Sequence, residues 1–113
     1  MSLSDIIAKR KSVRAYLDQP VDDADLQTVV EAGRWAPNAG PYHITVLRNP
    51  DLRKRLDEAT HKAMLDSGIE FLRMRASLPG YRPLYAAPVV ILLSGPAGPY
   101  TAVNCALAAE NMA

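Results

Sequence analysis

Apolar residues recur every three to four positions in the first third of the chain, which predicts two amphipathic helices. The first helix is short, opens at Ser2 or Ser4, and ends in a cluster of basic residues. The second opens at Asp22 or Asp23, whose carboxylates can accept hydrogen bonds from free backbone N–H groups, and ends near Arg34. The chain is therefore predicted to begin as two helices joined by an irregular segment.

Two runs rich in β-branched, aromatic or other apolar residues predict strands over Tyr42–Arg48 and Pro88–Leu93. The second run is apolar throughout, as in a strand covered on both faces, so we expect it at the centre of a sheet. Between the strands, Asn49 followed by Pro50 indicates a helix start, and a further helical segment is predicted over Asp66–Leu78. The middle of the chain is thus predicted to mix strands with helices.

An alanine-rich helix is predicted from Thr101 to Ala113. Its small side chains allow another helix to approach closely, and together with the small core they favour a homodimer. The helical pattern stops without a glycine, a proline or a basic last turn, which are the usual signals at a helix end. We therefore expect a truncated form of a longer polypeptide, with an uncapped natural helix that frays as the alternative.

The charges nearly cancel, with 13 Lys and Arg against 12 Asp and Glu, so the chain lacks the basic excess of a general nucleic-acid-binding protein. No apolar run approaches the roughly 20 residues that span a bilayer, and no signal peptide is visible. We therefore expect a cytoplasmic protein that binds neither nucleic acid nor membrane. Its 113 residues allow one domain, predicted to cover 1–113.

Several common catalytic signatures are absent. Cys105 is the only cysteine, which excludes an intramolecular disulfide, and the two histidines, His43 and His61, lack metal-ligand spacing. The motifs GxGxxG, GxxxxGK(S/T) and GxSxG do not occur, which disfavours Rossmann, P-loop and hydrolase functions. No metal site and no Cys/His catalytic pair is predicted.

The basic segment Arg10–Arg14 places three cations and a hydroxyl within five residues, where the first helix gives way to extended chain. Arginine forms bidentate, charge-assisted hydrogen bonds with phosphate oxygens, and Ser12 adds a further donor. This composition suits a phosphate group. The alternative is a solvated positive helix end that only complements the helix dipole.

A rigid loop, Trp35–Tyr42, holds the carboxamide of Asn38 just before the first predicted strand. Asparagine both donates and accepts hydrogen bonds, which suits the polar edge of a planar heteroaromatic ligand, and Gly40 lets the backbone approach such a ligand. The alternative is a turn in which Asn38 bonds its own backbone and Trp35 belongs to the core.

Together these motifs resemble the nitroreductase family in order and spacing. The resemblance rests on Ile6–Ile7, Arg10–Tyr16, Pro20–Val21, Leu26–Gly33, Trp35–Asn38, Ile44–Leu47, Ala87–Leu92 and Ala108–Met112. It covers essentially the whole chain but corresponds to the N-terminal portion of a typical family member. The implied fold is α+β, a three-layer α-β-α sandwich with an antiparallel central sheet, incomplete here at its C-terminal end.

The resemblance also implies an FMN-dependent oxidoreductase that works as an intertwined homodimer. Hydride passes from NADH or NADPH to the flavin, and then to a nitroaromatic, quinone or similar acceptor that enters the same pocket, so no catalytic side chain is implied. One alternative is a noncatalytic flavin-binding or dimerising remnant of the family. Another is a module that binds a different phosphorylated ligand at the basic segment.

The resemblance assigns two groups of residues to the cofactor. Arg10, Lys11 and Ser12 are implied to contact the FMN phosphate and ribityl chain. Arg14 is implied to lie near the pyrimidine edge of the flavin, where a cation stabilises the anionic reduced form.

Asn38 and the backbone of Ala39 and Gly40 are implied to line the isoalloxazine ring. The family loop usually reads Asn-x-Gln-Pro-Trp, whereas here Gly40 replaces the glutamine and Tyr42 replaces the tryptophan, or the loop is shortened. The later family segments, which include a glycine-containing turn over the flavin and a basic phosphate ligand, have no counterpart before Ala113.

Overall fold

The computed structural model describes residues 1–113, which form five helices and two strands. Contacts within the chain group these residues into two compact units. The first unit comprises Met1–Arg14, Asp22–Ile44 and Leu93–Ala113, and the second comprises Ala15–Val21 and Thr45–Leu92. None of the helices combines the length and the apolar character that crossing a bilayer requires.

Side chains predicted as caps begin the first two helices, α1 (Leu3–Lys9) and α2 (Asp23–Arg34). The Ser2 hydroxyl accepts a hydrogen bond from the Asp5 N–H, and the Asp5 carboxylate accepts one from the Ser2 N–H at 2.9 Å. The bonds from the Ser2 backbone and hydroxyl hold the pKa of Asp5 below its usual value. The Asp22 carboxylate caps α2 by accepting a single hydrogen bond from the Ala24 N–H at 2.8 Å.

The last helix, α5 (Thr101–Met112), packs against α2 in the first unit. Small residues mark the contact, because Ala108 is completely buried and a Cβ atom at Gly33 would overlap the side chain of Met112. The close helix approach predicted from the alanine-rich segment is confirmed.

The strands β1 (His43–Leu47) and β2 (Val90–Ser94) pair in a two-stranded antiparallel sheet. Both begin and end within two residues of their predicted positions. The prediction that the second strand is central and covered on both faces is wrong, since only β1 pairs with it and Leu92 is 38% exposed. Its continuous apolar sequence reflects partial burial on each side rather than flanking strands.

The second unit is built on α3 (Pro50–Asp66), against which α4 (Glu70–Ala76) packs. The Asn49 carboxamide accepts hydrogen bonds from two N–H groups of the first turn, each at 3.0 Å, as predicted for this helix start. α4 is shorter than predicted. Ser67 takes an extended conformation and its hydroxyl donates to a carbonyl of the last turn at 2.9 Å, which ends α3 and delays the next helix.

Two consecutive residues before β2, Tyr85 and Ala86, have left-handed backbone conformations with φ of 52° and 53°. This conformation costs a non-glycine residue roughly 1–2 kcal/mol, so neighbouring contacts must impose it. α3 provides them. The buried Asp57 carboxylate accepts a hydrogen bond from the Leu84 N–H at 2.9 Å, and Arg53 donates to the carbonyl that follows the pair at 2.7 Å.

Replacing Asp57 with alanine is expected to destabilise the protein by about 1–3 kcal/mol, because the part-buried Leu84 N–H loses its only acceptor. Urea unfolding followed by circular dichroism measures the change. Arg82→Gln is the matched control, since it removes the ion pair of Arg82 with Asp57, at 3.4 Å, but keeps the acceptor. It should cost less than about 1 kcal/mol. Equal losses in the two variants would contradict the role given to the Leu84 hydrogen bond.

Candidate functional site

The basic segment Arg10–Arg14 follows the C-terminal end of α1 and is exposed along its whole length. Arg10 forms an ion pair with Glu110 of α5, with the guanidinium Nε 3.6 Å from a carboxylate oxygen. The other two cations and the Ser12 hydroxyl have no hydrogen-bonding or ionic partner in the chain. The segment therefore offers an anion one ion-paired cation, Arg10, two unpaired cations, and the unpaired Ser12 hydroxyl.

The loop Trp35–Tyr42 leaves α2 and enters β1. Trp35 is 79% exposed, and the exposed Asn38 side chain forms no hydrogen bond within the chain. A self-bonded turn with a core tryptophan, the alternative interpretation of this segment, is therefore wrong in both respects. Gly40 has φ of +110°, which favours glycine, and a Cβ atom added at this position would meet no other atom within 4 Å.

Asn104 of α5 fixes this loop from behind. Its side-chain Oδ1 accepts a hydrogen bond from the Ala39 N–H at 2.9 Å, and its Nδ2 donates to the Gly40 carbonyl at 3.5 Å. Asn104 is only 3% exposed. Sequence reasoning missed this residue, although a signal existed: it lies four positions before Ala108, on the same face of an alanine-rich helix, where a polar residue needs a partner.

α5 thus contacts both predicted parts of the cofactor site. Asn104 bonds to the loop and Glu110 pairs with Arg10, and these two residues are six positions apart on α5, a rise of about 9 Å along the helix axis. A third polar residue of α5, Asn111, donates to the Ala32 carbonyl of α2 at 3.1 Å and secures the helix pair itself.

A cavity of about 380 Å³ opens beside the loop. Its lining comprises Val30, Arg34, Asn38, Tyr42, His43 and Ile44. The Tyr42 hydroxyl donates to the Gly33 carbonyl at 3.2 Å, which ties the end of the loop to α2. Asn38 is the predicted site residue that borders this cavity.

A larger cavity of about 560 Å³ belongs to the second unit and contains none of the predicted site residues. Three cations border it, Arg53, Lys54 and Arg82, together with Asp57. Two of them are occupied, Arg53 by carbonyl oxygens and Arg82 by Asp57, in contacts that support the left-handed turn. No group of three or more His, Cys, Asp or Glu side chains is arranged to hold a metal ion.

The fold and the sequence together define the class of protein. The nitroreductase family model matches residues 7–113, and the chain belongs to the nitroreductase family. The crystal structure of a nitroreductase with bound FMN from Bacteroides fragilis NCTC 9343 superposes with a TM-score of 0.81 and 32% identity, covering 96% of this chain and 60% of that one. The family and the α+β fold expected from the sequence are confirmed.

A BluB-like flavoprotein from Clostridium difficile 630 shares the fold, with a TM-score of 0.74 and 21% identity over 99% of this chain and 68% of that one. An Archaeoglobus fulgidus protein described as a putative NADH dehydrogenase/NAD(P)H nitroreductase is 35% identical over 48% of this chain. A Thermus thermophilus NADH dehydrogenase is 39% identical over 45% of it. The matched segments span 33% and 26% of those two relatives, so the match covers only part of their length.

Proposed function

We propose that this chain binds FMN and belongs to an oxidoreductase that oxidises NADH or NADPH and reduces nitroaromatic, quinone or similar acceptors. The observation that carries the proposal is the attachment of both the basic segment and the Asn38 loop to α5. Family membership and the FMN of the 32% identical Bacteroides fragilis nitroreductase support the choice of cofactor.

The basic segment fits the phosphate end of FMN. Lys11 and Arg14 are exposed cations without partners, and Ser12 adds a free hydroxyl donor. Arg10 keeps most of its guanidinium N–H groups available, since its contact with Glu110 uses the Nε side. These residues would hold the phosphate and the ribityl chain, and Arg14 would place positive charge near the pyrimidine edge of the ring.

The loop fits the ring end of FMN. The Asn38 carboxamide is unpaired and can donate and accept, whereas the Ala39 N–H and the Gly40 carbonyl are already bonded to Asn104. The Ala39 carbonyl and the Gly40 N–H therefore remain for a ligand. When bound, FMN would supply the hydride chemistry, and the side chains of this site would bind and orient it.

We also propose a cytoplasmic homodimer. Large apolar side chains of the first unit are widely exposed, including Leu3 at 73%, Ile7 at 67% and Val103 at 52%. A second copy that covered them would remove this apolar surface from water. Light scattering at high protein concentration tests the assembly, and a monomer would contradict it.

The first test of the cofactor is the visible absorption spectrum of purified protein after addition of FMN and gel filtration. We expect about one retained flavin per chain, and bleaching of its absorption by NADH or NADPH under anaerobic conditions. Folded protein without colour would contradict FMN binding. Retained flavin that neither nucleotide bleaches would favour a noncatalytic flavin-binding member of the family.

A further inference from the structure

Asn104 is the buried polar residue on which the conformation of the Asn38 loop depends. Pro37 and Pro41 enclose the loop and have no N–H, so the backbone donors between them are those of Asn38, Ala39 and Gly40. No side chain other than Asn104 forms a hydrogen bond with this backbone. The Asn104 carboxamide thus supplies the hydrogen bonds that neighbouring backbone would supply in a helix or a strand.

We propose that Asn104 is a positioning residue, which acts on FMN through the loop and without touching it. The inference rests on the proposed function. By engaging the Ala39 N–H and the Gly40 carbonyl, Asn104 fixes the backbone on both sides of the Ala39–Gly40 peptide bond, and with it the position of the neighbouring Asn38. Its effect should therefore be confined to the ring end of the flavin, because the phosphate end depends on Arg10–Arg14.

The two halves of the carboxamide make different contributions, which single substitutions separate. In Asn104→Asp, one carboxylate oxygen can still accept from the Ala39 N–H at its 2.9 Å position. The other oxygen would face the Gly40 carbonyl oxygen and repel it. The loop would therefore keep its bond at Ala39 and be repelled at Gly40. In Asn104→Leu both contacts are lost and the Ala39 N–H has no partner.

The experiment compares the dissociation constants of FMN and of riboflavin, which has the same ring and no phosphate. Fluorescence quenching of each flavin gives both constants on the same protein. Asn104→Leu is expected to raise both by roughly three- to tenfold, because flavin binding must then order a loop that has lost its hydrogen bonds to residue 104, and to leave their ratio unchanged. Asn104→Asp should raise both by a smaller factor, and each variant should broaden or shift the bound flavin's absorption band.

Asn111→Leu is the matched control, because Asn111 also joins its carboxamide to a backbone carbonyl but does so on α2, away from the loop. It should leave both dissociation constants and the absorption band unchanged. If folded Asn104→Leu binds both flavins as the unsubstituted chain does, the proposal is overturned. Should Asn104→Leu not fold, Asn104→Asp decides, and unchanged riboflavin affinity in that variant overturns it.

The outcomes also separate this proposal from the proposed function. An unsubstituted chain that binds neither flavin contradicts FMN binding itself, and the positioning role with it. An unsubstituted chain that binds both flavins, with affinities insensitive to residue 104, leaves FMN binding intact and overturns only the role of Asn104. A change in the FMN constant alone would assign Asn104 to the phosphate end and would equally overturn the proposal.

Discussion

Arg10→Glu is expected to lower the affinity for FMN by roughly a hundredfold or more while leaving the fold intact. The variant removes charge-assisted hydrogen bonds to the phosphate, worth about 1.5–3 kcal/mol each, and sets a carboxylate against the phosphate instead. It also faces Glu110, the present ion-pair partner, with a like charge. Equilibrium titration of the protein with FMN measures the loss, and circular dichroism checks the fold.

Lys62→Glu serves as the control for charge reversal. Lys62 is an exposed cation that pairs with Asp66 on the surface of α3, in the second unit. Its reversal should leave FMN affinity within about twofold at moderate salt, because Lys62 pairs only with a residue of its own helix and salt screens exposed charges. Glu110→Gln should leave the affinity unchanged or increase it. Unaltered FMN affinity in Arg10→Glu would contradict the assignment of the basic segment to the phosphate.

The second large effect is expected on stability, from Ala108→Leu. Ala108 has no exposed surface at the contact of α5 with α2, so three additional carbon atoms must separate the helices or strain the side chains around them. Overpacking of this kind costs about 1–3 kcal/mol, a large share of the roughly 5–15 kcal/mol that stabilises a typical domain. Urea unfolding at constant protein concentration measures the free energy of unfolding.

Ala109→Leu is the matched control, since the next residue on α5 is exposed and the substitution is identical. Leucine is nearly as favourable as alanine in a helix, so this variant should change the free energy of unfolding by less than about 0.5 kcal/mol. A similar loss in both variants would show that helix propensity, rather than packing between α2 and α5, determines the effect.

Local signals in the sequence predicted the helix starts well. Ser2, Asp22 and Asn49 each cap the helix that follows them, because a short polar side chain satisfies N–H groups only a few residues away. The strand positions were also predicted closely. These features depend on interactions between residues that are close together in the sequence, so the sequence alone is enough to predict them.

Features that depend on distant residues were not predictable in the same way. The apolar run of β2 indicated burial but not the number of neighbouring strands, which is a property of the whole sheet. The left-handed Tyr85 and Ala86 follow from contacts with Asp57 and Arg53, some thirty residues earlier, and no local signal favours them. Asn104 was overlooked because its partners lie 64 and 65 residues away.

In the Asn38 loop, the residue proposed to contact the ligand differs from the residues that restrict the backbone. This separation determines which substitutions the site tolerates. Asn38, the residue proposed to contact the ring, is exposed and forms no hydrogen bond in the chain, while Asn104 and two prolines restrict the backbone of the loop. A substitution at position 38 should therefore alter ligand preference at almost no cost in folding free energy. In this chain the proposed ligand contact and the support of the loop are therefore assigned to different residues: position 38 can change at little cost in stability, whereas replacing the buried Asn104 leaves a backbone N–H without its partner.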